Sequence, residues 1–402
     1  MDKLTRRSFL KTATAATLAS AVSPSLLASP VRHRVFVGCK ASDGILAFDW
    51  DPSTAELTPA GVAAKFAGVQ WITLSADHKY LFAAAGLNEF NGKPTGAVAS
   101  FRVANGELEE LSAQNSAGMG TCHVALDPTG NVLIAADYYG GSAASFRVTD
   151  GKLSPATWTE HYTGHGPNAD RQQSAHAHFV SYSPDNRFAY INDLGLDCIH
   201  IYRMYFRSAD WKNHDLNSDS PLLNTNMPVP GNFPTLLNEG SYKARPGSGP
   251  RTLHFHPNGH TAYSVNELVS TVDVLEWSQA TGGLTLVSRV ELLPEGYHGP
   301  TRGCDTEITR DGKFVYFANR DNNFLYSFRA EFASGKLTPI GRSNCGGKTP
   351  RSITLDPTER WMLVANQDSN LVSVFRRNRE TGALAEEGKS FAAATPMRIL
   401  FA

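Results

Sequence analysis

The chain alternates short apolar runs with tight polar turns along nearly its whole length. Runs such as Phe314–Ala318 and Trp361–Ala365 are rich in aromatic and branched apolar side chains, which is typical of strands. The corners between such runs, for example Asp127-Pro-Thr-Gly130, are tight-turn sequences. The pattern predicts antiparallel strands joined by short turns.

The strands recur as one repeated unit. Each unit has an apolar strand, a corner of the form [D/S/H]-P-x-[G/N] or a worn version of it, a second apolar strand, a polar turn and two further strands. Aligned on this corner, six complete copies stand at positions 76, 128, 184, 257, 310 and 357. A four-stranded sheet cannot cover both of its faces, so neighbouring units must stack, and a repeat of about 50 residues is typical of a propeller.

The two ends of the chain supply a seventh unit. Residues 35–57 form a partial copy that lacks its innermost strand, and the terminal fragment Pro396–Phe401 resembles the opening strand Pro350–Leu355 of the last complete copy. We therefore predict an all-β, seven-bladed propeller of four-stranded antiparallel blades over residues 33–402. Pairing of the N- and C-terminal strands closes the ring and removes the exposed sheet edges.

Composition excludes some partners. The chain has 402 residues, with 37 Lys and Arg against 38 Asp and Glu, so we expect no nucleic-acid partner and no acidic disordered tail. The cysteines are odd in number, far apart and without C-x-x-C spacing, which predicts buried thiols rather than disulfides or a metal site. They are Cys39, Cys122, Cys198, Cys304 and Cys345.

Residues 1–28 have the pattern of an export signal. The segment Thr5–Lys11 resembles the twin-arginine motif, and the apolar stretch after it, residues 12–22, is shorter than the roughly 20 residues that a membrane span needs. Cleavage is expected after Ala21 or Ala28, and Ala28 is favoured because the first strand starts soon after it. We thus predict a periplasmic protein that meets the twin-arginine translocase during export and has no membrane span.

One spacing between repeats is longer than the rest. It contains the stretch Asn213 to Gly247, rich in Asn, Pro, Ser and Gly, which we interpret as an insertion. Either a solvated loop or a lid over one face of the propeller would fit this composition.

Polar residues at the starts of the inner strands and in the turns after the second strands should converge on one mouth of the channel. Glu267 and Arg320 occupy equivalent positions with opposite charge, so they predict an acid/base and anion-binding pair. His176 and His178 alternate on a strand and therefore face the same side. Arg251, Arg351 and Arg398 are interpreted as sharing one repeat position. The candidate substrate-binding residues are His123, His176, Asp197, Asn266, Glu307, Arg351 and Gln367.

Several short motifs together resemble the lactonase family of seven-bladed propellers, which includes bacterial 6-phosphogluconolactonase and a fungal enzyme that cyclises carboxymuconate. The motifs are Gly164-x-Gly-Pro-Asn168 with Arg171-Gln172, His176-Ala-His178, Gly247-Ser-Gly-Pro-Arg251, His256-Pro-Asn-Gly259, Tyr263-x-x-Asn-Glu-Leu268 and Val364-Ala-Asn-Gln-Asp368. The resemblance covers residues 33 to 402 and implies a catalytic set of His178, Arg251, Glu267 and Arg320. Thr252 stands where the family usually has His, and Asp137 where Asn is common.

The resemblance implies a lactone hydrolase, and the predicted substrate is a sugar lactone of the 6-phosphogluconolactonase type. Glu267, alone or with His178, would activate a water, while Arg251 and Arg320 hold the oxyanion or an acid group of the substrate. No G-x-S-x-G or H-E-x-x-H motif is present. We expect a monomer without cofactor or metal, although scattered Asp, Glu and His leave a metal site open as an alternative. Two further alternatives are the reverse, lactonising reaction and a noncatalytic propeller that binds a ligand or partner.

Overall fold

A computed structural model describes residues 32–41, 44–205 and 235–402, which form seven four-stranded antiparallel sheets. The export signal with both cleavage positions, and residues 213–234 of the predicted insertion, lie outside the described residues. Among the residues that are described, no helix has the length and apolar character to cross a bilayer.

The strands follow one another with short connections. They are β1 (His33–Cys39), β2 (Ile45–Asp51), β3 (Glu56–Ala64), β4 (Val69–Leu74), β5 (Tyr80–Ala85), β6 (Ala97–Ala104), β7 (Glu107–Asn115), β8 (Thr121–Leu126), β9 (Val132–Asp137), β10 (Ser142–Thr149), β11 (Lys152–His161), β12 (Ala177–Tyr182), β13 (Phe188–Asp193), β14 (Cys198–Tyr205), β15 (Thr235–Lys243), β16 (Pro250–Phe255), β17 (Thr261–Asn266), β18 (Thr271–Trp277), β19 (Leu284–Glu291), β20 (Gly303–Ile308), β21 (Phe314–Asn319), β22 (Phe324–Ala330), β23 (Leu337–Asn344), β24 (Pro350–Leu355), β25 (Trp361–Asn366), β26 (Leu371–Arg377), β27 (Leu384–Ala392) and β28 (Pro396–Phe401).

The sheets are the blades of a propeller, and the predicted fold is confirmed. Blade 1 has the strand order β28-β1-β2-β3, and blades 2 to 7 are formed in turn by β4–β7, β8–β11, β12–β15, β16–β19, β20–β23 and β24–β27. The C-terminal strand pairs antiparallel with β1, with Val35 opposite Phe401 and Val37 opposite Ile399. The inner strands β4, β8, β12, β16, β20, β24 and β28 contact their neighbours in a closed ring.

Apolar side chains fill the interfaces between blades. Between blades 7 and 1, for example, Val35 and Val37 pack with Leu363 and Val374, and all four are fully buried. The predicted corners are stabilised by their own carboxylates: Asp127 accepts the backbone N–H groups of Asn131 and Val132, each at 2.8 Å. The alternating pattern thus builds the interfaces, and the corner residues fix the turns.

The predicted insertion, residues 213–247, includes a strand of the blade at its C-terminal end. Residues 235–243 of it form β15, which pairs with β14 as the outer strand of blade 4. The polar composition of this outer strand made it resemble a loop, because an edge strand needs few apolar side chains.

Every inner strand has a register irregularity at its start. A bulge adds a residue to one strand and redirects its side chain. The residues at this bulge position are Gln70, Cys122, His178, Arg251, Cys304, Arg351 and Met397. The interpretation that Arg398 shares the position of Arg251 and Arg351 is therefore wrong: Gly38 pairs with Arg398 and Cys39 with Pro396, so Met397 takes that place.

Candidate active site

The bulge positions meet at one end of the channel and surround a cavity. The side chains that line it are Gln70, Trp71, Cys122, His123, His178, Phe179, Arg251, Arg351 and Met397. Six of the seven inner strands contribute the residue at their bulge to this lining. The repeat thus brings one bulge side chain from each of six blades to a common site, and differences between the copies decide its chemistry.

A belt of packed side chains lies one step further along the inner strands. The Arg398 guanidinium stacks on the Trp71 ring at 4.3 Å, and the His123 ring lies 4.5 Å from Trp71 and 3.9 Å from Phe179. Arg398 also binds Asp305, 3.2 Å from its Nη1. The belt therefore holds His123, a predicted substrate-binding residue, between two aromatic rings.

Burial keeps the histidine of this belt neutral. Burial, assisted by the positive charge of Arg398, lowers the pKa of His123 well below its usual value. Its Nδ1 accepts the backbone N–H of Val180 at 3.2 Å. His123 therefore contributes an uncharged aromatic surface to the cavity.

A second set of residues reaches the mouth from the turns after the second strands. Each of these residues donates its backbone N–H to the segment that precedes the inner strand of the same blade. Glu267 donates to the Gly249 carbonyl at 2.8 Å, and Arg320 donates to the Arg302 carbonyl at 2.9 Å. The same bond fixes Tyr138 and Gln367. The equivalence of these positions, inferred from the repeat, is therefore structural.

Glu267 is the centre of the site. Its Oε1 lies 2.7 Å from Nη2 of Arg171, and its Oε2 lies 2.5 Å from Nη2 of Arg320 and 3.1 Å from Nε of Arg251. The Glu267 side chain is 1% exposed. Two blades and one loop thus direct three guanidinium groups at a single buried carboxylate.

The electrostatic surroundings make Glu267 a weak base. Burial alone would raise the pKa of its carboxyl, but the Arg320 and Arg251 guanidiniums, with His178 and Arg171 further contributing, hold that pKa well below its usual value. Glu267 is therefore ionised and ion-paired throughout the physiological pH range.

His178 lies beside this carboxylate and also lines the cavity. Its Nε2 is 4.0 Å from Oε2 of Glu267, and its Nδ1 has no hydrogen-bond partner among the described residues. Burial and then the charge of Arg251 lower the pKa of His178 well below 6.5. The imidazole is thus neutral at physiological pH and has a ring nitrogen able to accept a proton.

Arg351 is the cation of the cavity that lacks a counter-ion. Within the described part of the chain, its guanidinium has no hydrogen-bonded or ion-paired partner, whereas Arg251 is held by the Cys304 carbonyl at 2.6 Å as well as by Glu267. Burial, with Arg320 and Arg251 nearby, lowers the pKa of Arg351 to about 10. Arg351 remains charged at neutral pH and can receive an anion from a ligand.

His176 supports the site without entering the cavity. Its Nδ1 lies 2.8 Å from the Tyr138 carbonyl, and its ring stacks on the Tyr138 ring with a centroid distance of 4.4 Å. The Tyr138 hydroxyl accepts a hydrogen bond from Nη2 of Arg171 at 3.1 Å. His176 therefore positions the tyrosine that contacts Arg171.

Four predicted substrate-binding residues use their polar groups within the fold. Asp197 accepts the backbone N–H groups of Gly247 and Gly249, Asn266 donates to the Thr271 hydroxyl, and Gln367 donates to the Asp368 carboxylate. Glu307 accepts the Leu355 N–H at 3.1 Å, and burial raises its pKa to about 7. None of the four is among the described residues that line the cavity. Asp197 still matters indirectly, because it fixes the segment that leads into Arg251.

Arg171 was not among the predicted site residues. It lies between β11 and β12, outside the repeat, so comparing the copies assigns it no role. The one sequence signal was its place in the Arg171-Gln172 motif.

The thiols and the acidic side chains do not form a metal centre in the described residues. No group of three or more His, Cys, Asp or Glu side chains there has the arrangement of a metal site. Cys122, Cys198, Cys304 and Cys345 are thiols, and burial raises the pKa of Cys122 to about 12. Cys122 is therefore an uncharged part of the cavity wall.

Comparisons with known proteins agree with this architecture. The chain is 28% identical over 346 residues to 6-phosphogluconolactonase of Bacillus subtilis, covering 85% of this chain and 90% of that protein. It is 30% identical to 6-phosphogluconolactonase of Formosa agariphila, covering 87% and 92%.

Solved structures give the same result. The crystal structure of a putative 6-phosphogluconolactonase from Bacteroides fragilis superimposes with a TM-score of 0.80 at 27% identity, covering 94% of this chain and all of that one. The periplasmic gluconolactonase of Pseudomonas aeruginosa has a TM-score of 0.81 at 26% identity, covering 92% and 99%. The sequence profile described as "Lactonase, 7-bladed beta-propeller" matches residues 34–222 and 228–401, so the chain belongs to the seven-bladed β-propeller lactonase family.

Proposed function

We propose that this protein hydrolyses a sugar lactone in the cavity at the channel mouth. The observation that carries the proposal is a neutral histidine, His178, that lines the cavity between a buried carboxylate and the unpaired cation Arg351. The family and the names of the relatives support lactone hydrolysis in general.

The geometry favours His178 over Glu267 as the group that activates water. Arginine guanidiniums engage both carboxylate oxygens of Glu267, so a water proton has no unengaged oxygen to move to. His178 is neutral and has an unpartnered ring nitrogen. A water oxygen attacks the lactone carbonyl carbon while its proton moves to His178, and the ester oxygen then leaves with that proton as the ring C–O bond breaks.

The arginines and Glu267 stabilise the charges that this step creates. Arg251 and Arg351 line the cavity and can balance the negative oxygen of the tetrahedral intermediate. Glu267, 4.0 Å from Nε2 of His178, stabilises the imidazolium that forms. Arg320 is 7% exposed and holds Glu267 in place. The same groups would also catalyse the reverse reaction, closure of the lactone ring, with a substrate whose equilibrium favours the lactone over the open acid.

The function is tested by measuring acid release from neutral, phosphorylated and aromatic lactones, with wild type and His178→Gln. We expect turnover of at least one sugar lactone and a fall in kcat of about 10² to 10⁴-fold in the variant, because the proton acceptor is lost. His260→Gln serves as the control, since His260 is exposed and bonded to Asn258 and Ala333 away from the site. Absence of turnover with every lactone would favour the noncatalytic alternative.

The pH dependence of the same reaction follows from the state of His178. The neutral imidazole is the active form, and its pKa lies well below 6.5. We therefore expect kcat/KM to stay level as the pH falls through neutrality and to decline below the usual range of histidine. A decline centred at pH 6.5 or above would contradict the assignment of His178.

We also propose that the protein acts in the periplasm after twin-arginine export, a proposal supported by the motif at Arg6 and Arg7 and by the periplasmic relative. Replacing both Arg6 and Arg7 with Lys should leave the precursor in the cytoplasm, because Lys keeps the charge but not the guanidinium. Immunoblots of cell fractions measure this, and Arg32→Lys is the control. Normal periplasmic yield from the double variant would exclude the twin-arginine route.

A further inference from the structure

Arg171 differs from the other two guanidiniums that bind Glu267. Arg251 and Arg320 have side chains that are 4% and 7% exposed, whereas the Arg171 side chain is 33% exposed. Arg251 belongs to an inner strand and Arg320 to a repeated turn, while Arg171 belongs to the connection between blades 3 and 4. One of the three cations around Glu267 is therefore accessible from outside.

The backbone that carries Arg171 is firmly held. The next residue, Gln172, is fully buried, donates from Nε2 to the Leu194 carbonyl at 2.8 Å and accepts the Asn168 N–H at 3.1 Å. The Arg171 N–H in turn reaches the Asn168 side-chain oxygen at 3.1 Å. The guanidinium is thus presented by a braced loop and loses little freedom when it binds.

The Arg171 guanidinium has unused donors. Both of its contacts, to Glu267 and to the Tyr138 hydroxyl, are made by Nη2. Within the described residues its Nε and Nη1 groups have no partner. Because a guanidinium presents five N–H donors in a fixed plane, Arg171 can hold Glu267 and a second anion at the same time.

The charge at the mouth favours such an anion. Three guanidiniums, those of Arg171, Arg251 and Arg320, contact the carboxylate of Glu267, and a fourth, that of Arg351, lines the cavity without an ion pair among the described residues. The nearby His178 is neutral. The whole chain has a formal net charge of −1, so this positive excess is local. A local excess of cations concentrates anionic ligands.

We propose that Arg171 is a specificity-determining residue that binds an anionic group, phosphate or carboxylate, carried by the lactone away from its ring ester. The inference rests on the proposed lactone hydrolysis and adds the residue that recognises an acid group of the substrate. Arg251 and Arg351 bind the ester carbonyl, whereas Arg171 binds the second charge through Nε and Nη1 and keeps its ion pair with Glu267 through Nη2. Arg171 is therefore a recognition residue, and the proton transfer stays with His178.

The kinetic test compares Arg171→Gln with wild type on three lactones: glucono-lactone, the same lactone phosphorylated on its terminal hydroxyl, and a glucaric acid lactone that carries a carboxylate. We expect KM to rise by about 10- to 100-fold for whichever acid-bearing lactone is the substrate class, since a charged hydrogen bond is lost. KM for the neutral lactone should change less than about threefold. Comparing the phosphorylated lactone with the carboxylate-bearing lactone identifies which anion Arg171 binds. An equal rise in KM for all three lactones would overturn the proposal.

A binding test is independent of turnover. Inorganic phosphate and gluconate are titrated into wild type, Arg171→Gln and Arg302→Gln by calorimetry. Arg302 is the matched control, because it lies on the same edge of the propeller and pairs with Asp321 instead of Glu267. We expect Arg171→Gln to weaken binding of one of the two anions at least tenfold and Arg302→Gln to leave it unchanged. Equal affinity in all three proteins would refute the role of Arg171, even if lactone turnover were established. If Arg171→Gln lost anion binding but wild type turned over no lactone, the proposed function would be refuted instead.

Discussion

Glu267→Gln is expected to cost both activity and stability. Arg251 and Arg320 are nearly buried and share this carboxylate, so the variant leaves two guanidiniums without a counter-ion. Removing one partner from a buried ion pair lowers the free energy of unfolding by about 3–5 kcal/mol. The imidazolium of His178 also loses its anion, and we expect kcat to fall about 10² to 10³-fold. Chemical denaturation and steady-state kinetics measure the two effects.

Two further variants separate charge balance from chemistry. Glu307→Gln makes the same substitution at another glutamate of the channel whose pKa is about 7 and which has no ion pair among the described residues, so its stability and kcat should stay close to wild type. The double variant Glu267→Gln/Arg320→Met removes one of the stranded cations and should regain part of the lost stability but no activity. If Glu267→Gln were inactive yet as stable as wild type, Glu267 would be the base and the assignment of His178 would fail.

The fold could be predicted from the sequence because its signals are local. The alternating runs and the corners such as Asp127-Pro-Thr-Gly130 recur in each copy, and each corner carboxylate bonds to the turn in which it stands. The fragment Pro396–Phe401 matched the opening strand of another copy, which identified the closing strand. The bulge beside Pro396 was not visible in the same way, because a one-residue shift in pairing depends on the partner strand. Arg398 was therefore assigned to the repeat position that Met397 occupies.

The site could be predicted in part. Opposite charges at one repeat position drew attention to Glu267 and Arg320, and the structure brings these two side chains into contact. Polar residues that serve the turns carry the same sequence signal as residues that face a ligand, so Asp197 and Asn266 were grouped with the site although their groups bond within the fold. The contact of Arg171 with Glu267 spans 96 positions and comes from a connection outside the repeat. No pattern in one sequence reveals such a contact.

The two ends of the chain bear on the site as well as on the fold. Arg398 belongs to β28, the last strand to be added, and its guanidinium stacks on Trp71 and binds Asp305. The belt beneath the cavity is thus completed by the same strand that closes the ring. Stability of the ring and the shape of the cavity should therefore change together.

Deleting residues 395–402 is expected to prevent the protein from folding into a stable monomer. The deletion removes Met397 and Ile399, which are 1% and 0% exposed, and uncovers the edge of β1 along Val35–Cys39. It also removes the contacts that β28 makes with the neighbouring inner strands β4 and β24. An unpaired inner edge favours aggregation. We expect a large loss of melting temperature or insoluble protein, measured by calorimetry and size-exclusion chromatography.

Smaller changes show whether the strand or its packing matters. Removing Ala402 alone deletes one backbone hydrogen bond, from its N–H to the Arg34 carbonyl at 2.8 Å, and should leave melting nearly unchanged. Ile399→Ala keeps the strand but leaves a cavity, which should lower the free energy of unfolding by about 2–5 kcal/mol without aggregation. A synthetic peptide of residues 395–402, added to the truncated protein during refolding, should restore soluble monomer and the activity of the cavity together, because it supplies both the missing strand and Arg398. A truncated protein that melts like wild type would mean that the ring does not depend on β28.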